Sequence, residues 1–199
     1  MTTARDLALV TLGLPRDRPV GEGDLSLALS GAEAADLLTC GALTLDRDRM
    51  VPGPRMETGD RLLDQALASL VRREPYETVG DWLWRRGGEL TSAYVEDLER
   101  AGLIVPARGH RPRLRFARAV PGDSPERRRA EERLASGEPV LAALTAVLGT
   151  GDVPSGNREN LGDAVAAVLA AVGDAVTELE AVRLRRDVEG GAFDNIWRG

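Results

Sequence analysis

Between Arg55 and Gly88 the chain reads RMETGDRLLDQALASLVRREPYETVGDWLWRRGG, a stretch that leaves little choice but two short helices joined by a turn. Leu62, Leu63, Ala66, Leu67 and Leu70 recur at helical spacing and make one apolar stripe. Thr58 or Asp60 stands where a side chain can accept hydrogen bonds from the free amides of the first turn. Pro75 has no amide hydrogen and restricts the residue before it, so it is expected to end this helix. Thr78 and Asp81 then open a second helix in an arrangement like a capping box; it carries Trp82, Leu83 and Trp84 and stops at Gly87 and Gly88. Residues two apart on a helix point in different directions, so the two tryptophans do not both face a core.

The flanking chain is organised in the same way. Ala4 to Leu14 is apolar enough for a helix or a buried strand, and periodicity leaves both open. Residues 15 to 24, with two prolines and two glycines, read as a polar loop. Ser30 and Glu33 have capping-box spacing for a helix to about Thr39 that buries Ala34, Leu37 and Leu38. Gly41 breaks it, and Leu43, Leu45, Met50 and Val51 make a hairpin around a turn at Asp46 to Arg49. The arrangement repeats: a helix from Thr91 to Ala101 with Val95 and Leu98 inward, Gly102, a strand at Leu103 to Val105, and a return strand carrying Leu114 and Phe116. Ser124 and Pro125 start another helix ending near Gly137, and Pro139 starts the next. A loop over residues 149 to 156 leads to a long helix from Asn160 with an apolar seam from Val165 to Val182, wide enough to pack on a core or on a second subunit. The tail at 188 to 199 has no periodicity and is expected to be mobile unless Phe193 and Trp197 dock. The expected fold is mostly α: one helical domain over 1 to 199 with two short β-hairpins.

Composition bounds the function. A length of 199 residues allows one sizeable core. The formal charge of -6 argues against general nucleic-acid affinity. No apolar run is long enough to span a bilayer and no leader precedes the first helix, so a cytoplasmic location is expected. The lone Cys40 reads as a small core residue, and the lone His110 as a residue of an exposed turn. One histidine and one cysteine 70 positions apart give no metal site and no nucleophile-base pair, and no phosphate-binding glycine motif is present, so neither cofactor nor catalysis is expected. Asp60, Asp64, Asp81 and Asp97 read as caps and solvated faces.

Arginine supplies all 26 basic residues and concentrates late in the chain. Between Arg100 and Arg129 lie Arg108, Arg111, Arg113, Arg115, Arg118, Arg127 and Arg128, against only Asp123 and Glu126. On a strand Arg111, Arg113 and Arg115 share one face, and guanidinium forks in a row suit phosphate. Pairing with the abundant acids elsewhere is the competing use. Arg85 and Arg86 beside Trp84 form a second candidate, since an indole next to a guanidinium suits a membrane interface.

The TGDxLLDxAL segment at Thr58 to Leu67, followed by ETVxxW at Glu77 to Trp82, resembles the Golgi phosphoprotein 3 family, especially its bacterial branch. LxLALSGAxxADLLxxGAL at 25 to 43 is similar to that family's first core helix, and VEDLERAGLI at 95 to 104 to a later helix and turn. The resemblance implies a helix at Ala4 to Leu14, Trp82 turned inward with Trp84 nearer the surface, and a non-catalytic peripheral membrane adaptor that binds anionic, phosphoinositide-like headgroups. It also implies membrane-associated client proteins. The family's headgroup site uses a tryptophan and an arginine before the first core helix and two arginines before the second hairpin. Here the loop at Gly21 to Asp24 has no tryptophan, and Ser30, Gly88 and Thr91 stand where the arginines are expected. The expected lipid-binding residues are therefore Arg108, Arg111, Arg113, Arg115, Trp84, Arg85 and Arg86. A winged-helix DNA-binding module shares the order helix, helix, hairpin, but Glu96, Asp97 and Glu99 on the helix that would enter the groove would repel phosphate. A homo-oligomeric scaffold is the third reading.

Overall fold

The helix α2 (Glu22–Thr39) is the post around which the other elements are arranged, and its sequence explains why. Leucine and alanine recur on every side of it, so that all but six of its eighteen residues are buried, as befits a helix packed from several directions. The computed structural model describes residues 2–14, 20–105, 120–151 and 161–196. Before α2 comes α1 (Thr3–Leu12), capped by the Thr2 side chain. After it follow the strands β1 (Leu43–Asp46) and β2 (Arg49–Pro52), then α3 (Arg61–Ser69), α4 (Val79–Gly87) and α5 (Leu90–Arg100). The strands β3 (Ile104–Val105) and β4 (Val120–Pro121) lead to α6 (Pro125–Ala135), α7 (Pro139–Val147) and α8 (Asp163–Ile196). The described fold is mostly helical with two small antiparallel sheets, β1 against β2 and β3 against β4. α1, α3, α4, α5, α7 and α8 all pack on α2.

The capping signals act where the spacing placed them. Asp60 accepts from the amides of Leu62 and Leu63, and Thr78 from that of Asp81. Ser124 accepts from Arg127 ahead of Pro125 at the start of α6. Leu62, Leu63, Ala66, Leu67 and Leu70 are buried as one stripe. Gly41 and Gly102 close α2 and α5 at φ of 74° and 70°, a backbone region that favours glycine, and each is followed by a hairpin strand. The helix-glycine-hairpin repeat is therefore real on both occasions.

Corrections fall on α2, on the end of α3, on Cys40 and on the end of α8. α2 begins at Glu22, within the stretch read as loop, because Gly21 serves as an extended N-cap and Glu22 and Asp24 complement the first turn. Ser30 and Glu33 are accordingly not a capping box; both are fully buried inside the helix. Pro75 does not end α3, which stops at Ser69 when Leu70 turns extended at ψ 136°. Cys40 is exposed rather than in the core, since it follows the last turn of α2 and only Leu37 there faces inward. The return strand of the second hairpin pairs at Val120 and Val105, Pro121 and Ile104. Leu114 and Phe116 lie outside the described residues, as do His110 and the arginines from 108 to 118. The helix α8 also runs through Gly190 and Gly191 to Ile196, where the lack of periodicity had marked a tail.

α8 is held along α2 by close approach and by charge. A Cβ at Gly31 would stand 2.2 Å from Val172 Cγ2, so glycine is what lets the two helices meet there. At the other end Arg183 Nη1 donates to both Asp24 carboxylate oxygens at 2.8 and 2.7 Å.

Candidate functional site

The helix α4 carries three of the expected site residues, and its amphipathic spacing sorts them. Val79, Trp82 and Leu83 face the core, leaving Trp84 42% exposed. The Trp82 ring is fully buried and its Nε1–H donates to the Ser30 carbonyl at 3.3 Å. Arg85 lies over the Trp82 ring, 5.3 Å from its centroid, and its Nε and Nη2 donate to Glu77 at 2.7 to 3.0 Å. Arg85 Nη2 also donates to the Ser69 carbonyl at 3.1 Å, tying α4 to the end of α3. Trp82 inward and Trp84 outward is the disposition the resemblance implied.

Arg86 turns away from solvent. Its Nε donates to Glu33 Oε2 at 2.8 Å and its Nη2 to Glu33 Oε1 at 3.0 Å, a two-pronged pair in which the carboxylate side chain is fully buried. Arg86 Nη2 also donates to the Leu62 carbonyl at 3.2 Å, and the Tyr94 hydroxyl donates to Glu33 Oε1 at 3.1 Å. One carboxylate thus joins α2, α3, α4 and α5. Burial pushes the Glu33 carboxyl up to about 7 against the pull of Arg86 and Tyr94. Burial also pulls Arg86 down, but the Glu33 charge outweighs it and holds the guanidinium above its ordinary value. Tyr94 is driven well above its ordinary value by burial and by Glu33, so its hydroxyl stays protonated and donates. Sequence reading missed Glu33 because it was assigned to a helix start. An acid with alanine on either side, Glu33 in SGAEAADLL, was the available signal of a buried partner for Arg86.

The three positions where the resemblance expects headgroup arginines are neutral, and two of them are sealed. Ser30 Oγ donates to the Leu27 and Leu83 carbonyls at 2.8 and 3.4 Å and is fully buried. Thr91 is buried against α2: its amide donates to Ser26 Oγ at 3.1 Å, its hydroxyl to the Glu22 carbonyl at 3.0 Å, and the two hydroxyls lie 2.8 Å apart. Gly88 caps the end of α4. In this corner of the fold Ser26 and Thr91 pair hydroxyl to hydroxyl.

The remaining acids singled out in the sequence act as caps and ion-pair partners. Asp64 accepts from the Thr58 amide and hydroxyl, and Asp97 from Arg61 and Arg100, with Arg5 Nη1 3.4 Å from its other oxygen. Among the described residues no group of histidine, cysteine or carboxylate side chains is placed to hold a metal ion. No helix among them is long and apolar enough to cross a membrane.

A single post wrapped by helices, with two glycine-closed hairpins and a sealed polar centre, defines a mostly helical class of fold. The Golgi phosphoprotein 3 (GPP34) family matches residues 4–187, and the chain belongs to that family. No curated protein matches the chain.

Proposed function

We propose that the protein is a peripheral membrane adaptor, without catalytic activity, that meets anionic lipid headgroups through the basic segment between β3 and β4. Membership of the Golgi phosphoprotein 3 family supports a lipid- and protein-binding role. The observation that carries the choice of surface is a charge count: residues 106 to 119 hold Arg108, Arg111, Arg113, Arg115 and Arg118 and no acid. Among the described residues Arg61, Arg85, Arg86, Arg100, Arg127, Arg133 and Arg183 are in ion pairs with acids of the same chain. The row from 108 to 115, with no acid in its own segment, is the choice for the bidentate phosphate chemistry of guanidinium. Trp84 supplies an exposed indole for the interface, with Arg85 beside it, whereas Arg86 serves the core. The neutral, sealed Ser30 and Thr91 favour contact with anionic lipid in general over a phosphoinositide pocket in that corner. Client proteins at the membrane and a homo-oligomeric state belong to the same proposal, with the protein at the cytoplasmic face.

Co-sedimentation with vesicles of graded anionic content tests this. Each arginine at a lipid surface contributes about 1 kcal/mol, so Arg111→Glu, Arg113→Glu and Arg115→Glu together are expected to weaken partitioning by about 100-fold or more. Binding should also fall with added salt. Vesicle binding that survives the triple reversal unchanged would remove this segment from the membrane contact.

A further inference from the structure

At the far end of α2 a cleft of about 740 Å³ opens between the first turns of α1, the last turn of α2, α6 and the start of α7. Asp6, Asp36, Glu132 and Glu138 line it together with Arg129 and Arg133, so four carboxylates against two guanidiniums leave a formal charge of -2. Both cations already have acidic partners. Arg133 is paired with Asp6 and lies 3.4 Å from Glu138, and Arg129 donates to Glu126 and to the Pro125 carbonyl at 3.3 Å each.

Among the acids Asp6 is the one left with an unserved oxygen. The Asp6 side chain is fully buried, with Oδ2 taken by Arg133, while Oδ1 has no hydrogen-bond donor among the described residues. A buried acceptor without a donor is costly, and it marks a place where a ligand can supply one. Asp36 holds the start of α1 across the same cleft, its Oδ2 accepting the Ala4 amide at 3.3 Å beside further hydrogen bonds from Thr3. Burial raises the Asp6 carboxyl and pushes that of Asp36 up to about 6, which a cation placed between them would reverse. The set does not have the ligand placement of a metal centre. Ala35 and Val140 add an apolar strip to the lining.

We propose that this cleft binds a primary ammonium carried on a short aliphatic stem, the ammonium answering Asp6 and Asp36 and the carbons lying on Ala35 and Val140. An ammonium brings three N–H donors and a full charge to two buried carboxyls, one of which has an oxygen without a donor, and a short stem suits the apolar strip. The same chemistry comes from a free alkylamine or from the ethanolamine headgroup of a lipid, and the site is separate from the basic segment.

Calorimetric titration of the full chain with cadaverine and with ethanolamine tests the site, alongside amide chemical shifts from two-dimensional NMR. Saturable binding is expected, with shifts centred on Thr3, Ala35 and Thr39, and no binding of tetramethylammonium, which has no N–H. Glu132→Gln, at an exposed position, is expected to keep the fold and weaken binding at least threefold, and Asp6→Asn to abolish it. Vesicles of phosphatidylcholine with and without phosphatidylethanolamine separate the sources. Capture only by the ethanolamine lipid, lost in Glu132→Gln but retained when Arg111, Arg113 and Arg115 are reversed, assigns the headgroup; binding of the soluble amines alone assigns a free amine. The absence of saturable binding in both arms would overturn the proposal. So would shifts scattered over the acidic surface, or affinity unchanged in Glu132→Gln.

Discussion

Replacing Arg86 by methionine probes the polar centre of the fold, because it removes the cation and leaves the Glu33 carboxyl fully buried. Above the Glu33 titration the variant must either bury an uncompensated charge or take up a proton, and breaking a buried pair in this way costs about 3–5 kcal/mol. At low pH Glu33 is already protonated, and the loss shrinks to the hydrogen bonds to Glu33 and to the Leu62 carbonyl, about 1–2 kcal/mol in all. The wild-type protein supplies the sign. Its Glu33 carboxyl rises from 4.5 to about 7 on folding, so the folded state binds more protons between those values and stability falls as pH climbs through them. At about 1.4 kcal/mol per pH unit that cost is about 3 kcal/mol, fully present above pH 7 and absent below pH 4.5. Urea unfolding followed by circular dichroism at pH 5, 6, 7 and 8 reads both slopes. The Arg86→Met deficit should grow with pH, and Glu33→Gln should flatten the wild-type profile over the same range. A deficit of equal size at pH 5 and pH 8 would refute the reasoning, since it would mean that Glu33 does not change charge in that interval.

Three further outcomes follow from the geometry. Gly31→Ala brings a methyl to 2.2 Å from Val172 Cγ2 and should destabilise by about 1–3 kcal/mol in thermal melts, with Val172→Ala in the same chain restoring part of the loss. Asp60→Ala removes the acceptor for the Leu62 and Leu63 amides and should cost about 1 kcal/mol by urea unfolding, whereas Asp60→Asn should cost less. Trp84→Ala, at an exposed ring, should change stability by no more than about 0.5 kcal/mol while lowering vesicle partitioning in a sedimentation assay.

The parts of the fold legible from sequence are those written in local chemistry. Asp60, Thr78 and Ser124 cap helices through atoms of their own neighbourhood, and Gly41 and Gly102 answer a backbone requirement set within one turn. Spacing alone also separated Trp82 from Trp84 in direction. What escaped was decided by distant partners. The Ser30 and Glu33 spacing imitates a helix start, and only Arg86, 53 positions away, reveals Glu33 as the interior end of an ion pair. The arginines of α4 looked alike in sequence, yet the step of about 100° between adjacent helix residues gives Arg85 to Glu77 at the surface and Arg86 to the core. The acidic cleft was invisible for the same reason, since Asp6 on α1, Asp36 on α2 and Glu138 at the cap of α7 meet only in the folded chain.

The interior of this protein is built largely from leucine, alanine and valine, with Trp82 and Tyr94 as its large aromatic side chains among the described residues. Such side chains are nearly interchangeable, and helices lined with them can slip past one another with little loss of contact. Sliding α4 one turn along α2, about 5.4 Å, would put the Glu33 carboxylate opposite hydrocarbon and strand the Arg86 fork in it. The Glu33–Arg86 pair therefore works as an index pin: it adds little to the depth of the native state and a great deal to the height of its mis-threaded neighbours, so that four helices of bland composition lock in one register.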